Sequence, residues 1–165
     1  MTDATLSAIP AAADNQPVYS IEKIYVKDLS LEVPNAPQIF LERESPNVDV
    51  QLHHVSKSVD DGIYQTELTL TVTAKVGEKT MFLVECCQAG IFAIRNVPNQ
   101  DLEPILAIGN PNILYPYARE TISDAIVRAG FPPVLLNPVN FEALFQAQKA
   151  QEAEQPATPA PVLTH

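Results

Sequence analysis

Residues Tyr64–Lys75 alternate without a break. Tyr64, Thr66, Leu68, Leu70, Val72 and Ala74 share one parity; Gln65, Glu67, Thr69, Thr71, Thr73 and Lys75 share the other. Successive side chains of a strand point to opposite faces, so this segment predicts a sheet with one dry face and one wet face. A dry face must be covered, and antiparallel strands cannot cover their own. The preceding residues supply more strands. Tyr19–Val33 is rich in β-branched and aromatic residues, and from Asp28 it alternates, with Leu29, Leu31 and Val33 opposed to Asp28, Ser30 and Glu32. Pro34–Pro37 breaks it. Val48, Val50 and Leu52 then align in a second alternating segment, Asn47–His53, and Asp60-Asp61-Gly62 is a turn signal. After the Val76–Lys79 hairpin turn, Thr80–Phe92 forms a fourth strand, with Phe82, Val84 and Cys86 on one face and Leu83, Glu85 and Cys87 on the other.

Past Asn99 the period changes. Asp101–Ile108 predicts a short helical segment with Gly109 as its C-terminal cap. A main helix is expected from about Asn112 to Ala129, with Pro116 near its first turn and a stripe of Leu114, Ala118, Thr121, Ile122, Ala125, Ile126 and Ala129 at helical spacing. Gly130 and Pro132-Pro133 stop it. Asn137-Pro138 reads as the cap and first residue of a last helix through about Gln151. Strands followed by helices give an α+β domain: a four-stranded antiparallel sheet covered by helices. The domain is expected over residues 17–150, between tails 1–16 and 151–165 that lack periodicity.

The chain has 165 residues and a formal charge of −10, from 20 acidic and 10 basic residues. That balance argues against nucleic acid as a partner, because phosphates need a basic footprint. It suits a basic partner, or solubility alone. Cys86 and Cys87 are adjacent and point apart on a strand, which fits reduced thiols rather than a bridge. No basic-then-apolar leader opens the sequence and no apolar run is long enough to span a bilayer, so a cytoplasmic chain without membrane insertion is expected.

Sequence motifs for chemistry are missing. There is no phosphate-binding glycine loop, no dinucleotide turn, no nucleophile elbow and no C-x-x-C pair. His53 and His54 diverge on a strand and make poor joint metal ligands. No catalytic residue, metal ligand or cofactor is assigned, and the expectation is a protein that is not an enzyme.

Two features stand out instead. Leu83 sits beside Glu85 on the face that should be polar, and Asp28 and Glu32 share a face of the first strand. If those strands are neighbours, an acidic patch forms around an apolar centre; if not, this is a solvated face with one exposed leucine. The second feature is "PNILYPYARETISDAIVRAGFPPVLLNP", Pro111–Pro138, which carries Tyr115, Tyr117, Phe131, Val134, Leu135 and Leu136 besides the helix stripe. A larger core, a self-association surface and a surface for apolar partners all remain open; one helical layer on one small sheet is not expected to bury everything.

The stretches "IYVKDLSLEVPNAP", "LTVTAKVGE", "FLVECCQAGIF" and "PNILYPYARETISDAIVRAGFPPVLLNPVNFEALF" closely resemble SecB, the bacterial protein-export chaperone family. The resemblance covers about Tyr19 to Gln148. It implies a homotetramer, a dimer of dimers, with long helices packed between dimers. It implies an ATP-independent holdase that binds unfolded precursor proteins in apolar grooves and delivers them to the SecA motor. Asp28, Glu32, Leu83 and Glu85 match the family's docking surface for the basic, zinc-bearing tail of SecA, the zinc being the partner's. Val48, Val50, Leu52, Phe131, Val134 and Leu136 are the expected client groove. Leu114, Ala118, Thr121, Ile122, Ala125 and Ile126 are the expected oligomer interface. Gly109 and Asn110 stand where some relatives carry an aromatic residue and a cysteine, which puts local packing there in question. A related chaperone guarding a labile antitoxin is the alternative.

Overall fold

A computed structural model describes residues 15–154. Residues 1–14 and 155–165, most of the two expected tails, lie outside the described residues. The strands are β1 (Val18–Glu32), β2 (Asn47–Asp60), β3 (Ile63–Val76) and β4 (Lys79–Arg95). They form one antiparallel sheet in the order β1-β4-β3-β2. The connections β2–β3 and β3–β4 are tight hairpins, and Gly77 takes a φ of 56° at the second of them, a conformation that strains any residue with a Cβ. A crossover with a short 3-10 turn at Gln38–Leu41 links β1 to β2.

β3 follows its alternation. Thr66, Leu68, Leu70, Val72 and Ala74 are buried, while Gln65, Glu67, Thr69, Thr71 and Thr73 are partly open on the other face. β2 runs seven residues beyond the expected end at His53. The extension was hard to read because its core-facing residue is polar: Ser56 bonds Thr66 Oγ1 at 2.8 Å and donates to the Leu106 carbonyl at 3.2 Å.

The helices all cover the inner face. α1 (Asn99–Pro104) continues through a π turn (Ile105–Gly109) into α2 (Asn110–Arg128) without a break. Gly109 therefore caps nothing; its φ is −63°, ordinary helix. Pro116 lies well inside the continuous helix rather than near its start, at an exposed position that leaves the freed carbonyl of exposed Asn112 open to water. The wide π turn shifts the helical phase. The next residue, Asn110, points inward: it accepts from the Tyr19 hydroxyl at 2.7 Å and donates to Thr66 Oγ1 at 2.8 Å. β1, β3 and α2 are thus tied through one buried amide, as a buried polar group requires. Gly90 leaves room for the Phe92 ring and for α2, since a Cβ there would lie 2.7 Å from Phe92 and 3.0 Å from Leu114.

α3 runs from Phe141 to Glu154, beyond the expected domain limit at residue 150. Its cap is Asn140, not Asn137: Asn140 Oδ1 accepts the Ala143 amide at 3.0 Å. Asn137 instead accepts the Tyr115 hydroxyl through its carbonyl.

The α2 stripe expected at an oligomer interface is already buried. Leu114, Ala118, Ile122, Ala125 and Ile126 pack into the chain's own core, and Thr121 is half-buried. Helical spacing identifies a dry face; it does not say whose apolar surface dries it.

Candidate functional site: two faces of one sheet

On the outer face the register decides which residues meet. In β1 and β4, Asp28 pairs with Cys87, Ser30 with Glu85 and Glu32 with Leu83. Directly opposed residues share a face, so Asp28, Glu32, Leu83 and Glu85 lie together. Leu83 and Glu85 are half-buried; Asp28 and Glu32 are exposed. Thr71 of β3 donates to Glu85 Oε2 at 2.8 Å and fixes one edge of the patch. No helix covers this face among the described residues.

Around it lies a polar network that the sequence reading did not single out. Glu67 Oε1 binds Lys27 Nζ at 2.7 Å and Lys57 Nζ at 3.6 Å, while Cys87 Sγ donates to Glu67 Oε2 at 3.8 Å. The hydrogen bond from Lys27 holds the Glu67 carboxyl below its ordinary pKa. Parity alone hides this, because a bulge between Val26 and Asp28 resets β1.

The opposite face carries an apolar groove of about 600 Å³ between the β1–β2 crossover and the loop after α2. Phe40, Val48, Met81, Phe131, Pro133 and Val134 line it, with Glu42, Arg43 and Glu44 at its margin. Phe40 stacks on Phe131 with centroids 5.0 Å apart, and Phe131 meets Phe82 at 5.2 Å. Three residues expected in a client groove, Val48, Phe131 and Val134, come together here. Val50 and Leu52 lie further along the same face of β2, and Leu52 packs on the core. Leu136 is buried and borders a separate groove with Leu135 and Val127. Phe40 and Leu41 were missed, although they are 45% and 72% exposed. The available signal was three consecutive bulky residues, Ile39 to Leu41, on a crossover bracketed by Pro37 and Pro46.

Of the remaining titratable candidates, Cys86 and His54 are packed rather than poised. Burial pushes the Cys86 thiol up to about 11, which disfavours the thiolate a nucleophile needs. His54 faces Phe141 edge-on at 6.3 Å, and burial lowers its pKa. Among the described residues no group of three or more His, Cys, Asp or Glu could hold a metal ion, and no helix is long and apolar enough to cross a membrane.

Comparison with known families places the chain. The family model "Preprotein translocase subunit SecB" matches residues 12–152. The chain belongs to the SecB family. Protein-export protein SecB of Chromobacterium violaceum is 64% identical over 139 residues, covering 84% of this chain and 93% of that protein. Its namesake in Nitrosomonas europaea is 57% identical over 156 residues, covering 92% and 97%. A solved SecB-like chaperone of Mycobacterium tuberculosis, bound to a peptide from an antitoxin, has the same fold at 16% identity, with a TM-score of 0.62 over 73% of this chain and 90% of that one. SecB is a family of protein-export chaperones, not a class of enzymes.

Proposed function

We propose that this chain is an ATP-independent holdase that binds unfolded precursor proteins on its apolar groove and hands them to SecA from its acidic sheet face. The carrying observation is the β1–β4 register, which gathers Asp28, Glu32, Leu83 and Glu85 on an uncovered face while the aromatic groove opens on the other. A client is held because only an unfolded chain presents its apolar side chains, and anything that binds that state opposes folding and aggregation. An open groove of rings and aliphatic side chains reads exposure rather than sequence, so it accepts many clients. The acidic patch suits a basic tail, and its field speeds docking in a salt-sensitive way.

The working form is a homotetramer, a dimer of dimers, acting in the cytoplasm. Support for self-association comes from β1 rather than from the α2 stripe. Val26, Leu29 and Leu31 pair with buried Gln88, Cys86 and Val84, so they lie on the dry face, yet they are 44%, 46% and 37% exposed. A second copy would cover them. Several grooves on one assembly then act on one long client through effective concentration. The antitoxin-guarding alternative draws on the fold of the Mycobacterium tuberculosis relative; the much higher identity to protein-export chaperones favours export.

The test is refolding of a slow-folding unfolded precursor with and without the protein, no nucleotide added, with particle mass measured on the same sample. Arrested refolding by a tetramer is expected. A well-folded tetramer that leaves the refolding rate unchanged would remove the holdase reading.

A further inference from the structure

The bulge in β1 creates a problem for the acidic patch. Lys27 and Asp28 stand together against Cys87. Consecutive strand residues ordinarily diverge, but here Lys27 reaches Glu67 on the same outer face that carries Asp28. An ammonium next to Asp28 would pair with it and cancel its charge towards an incoming cation. In the structure Lys27 turns away, crossing β4 to Glu67 Oε1 at 2.7 Å. Glu67 is well placed to hold it. Its side chain is only 15% exposed, it sits on an inner strand of the sheet, and Lys57 Nζ and Cys87 Sγ fix it from two further directions.

We infer that Glu67 is a positioning residue for the docking patch, keeping Lys27 off Asp28 so that the patch stays open to a cationic partner. The inference rests on the docking reading above and adds a residue and a role to it.

The test uses the full chain and a zinc-loaded peptide of the SecA C-terminal tail, with dissociation constants measured at low salt. Glu67→Gln should weaken binding by roughly 3- to 10-fold, the range for a displaced surface charge. Adding Lys27→Gln to Glu67→Gln should return binding to within about twofold of the parent, because the cation that screens Asp28 is gone. Adding Lys57→Gln instead gives the same net charge but leaves Lys27 free, and this variant should stay weak. Equal binding by Glu67→Gln and the parent overturns the inference. Equal rescue by Lys57→Gln and Lys27→Gln also overturns it, since net charge alone would then explain the effect. So does a lack of rescue by Lys27→Gln, which would mark Glu67 as a packing residue. Glu85→Lys serves as the separate check: if it too binds like the parent, the docking reading has failed, and the inference falls with it.

Discussion

The two faces of the sheet obey the same alternation and end with opposite properties. Inward residues of β3 and β4 such as Leu70, Val84 and Phe92 are fully buried beneath α2. Outward residues such as Thr71, Thr73 and Glu85 remain partly open. The inner face gives stability, and where its cover ends, at the loop after α2, it becomes an apolar groove. The outer face contributes little packing and is free to hold charges in register. The proposed function uses this division: client holding where the core runs out, motor docking where no core is needed.

The sharpest break in the comparison is stability. Phe92→Ala should cost about 3–5 kcal/mol in urea unfolding, while Thr73→Ala on the outer face should cost about 0.5 kcal/mol. Similar losses would mean that the faces are not divided as described. A smaller change lies in the groove. Phe40→Ala removes an exposed ring that stacks on Phe131, and should weaken client holding roughly tenfold with about 1 kcal/mol of stability lost. Unchanged arrest of refolding would place the client elsewhere.

The mildest effect expected is a pH dependence on the inner face. His54 has a folded pKa below its ordinary 6.5, mainly because burial disfavours the charged ring. Well above 6.5 it is neutral in both folded and unfolded chains. As the pH falls below 6.5, the unfolded chain takes up the proton first, so stability is lost until the folded value is passed. His54→Gln should flatten part of this acid-side decline as the pH falls below about 6.5, because glutamine does not titrate. An unchanged slope in unfolding measurements would assign it to other groups.

Much of this was legible in the chain because period-2 alternation survives wherever one face is dry. β3 announced itself, and the acidic patch followed from parity once β1 and β4 proved to be neighbours. The rest was obscured for specific reasons. Ser56 and Thr66 satisfy each other in the interior, so the far half of β2 looked polar. Gly109 resembled a stop but continues through a π turn. The resemblance placed the α2 stripe at an oligomer interface; the stripe packs in the chain's own core, and spacing cannot distinguish a chain's own sheet from a neighbour's. The pairing of Lys27 with Glu67 was hidden by a bulge in β1, and Phe40 by lying on a crossover with no period at all.

The most direct test of the central claim measures both activities on one variant. Glu85→Lys reverses a charge on the outer face without touching the groove. The account predicts that it still arrests refolding of an unfolded precursor at the parent rate, while its affinity for the SecA tail falls by at least about tenfold. Loss of both activities, or retention of both, would contradict the division of labour between the two faces.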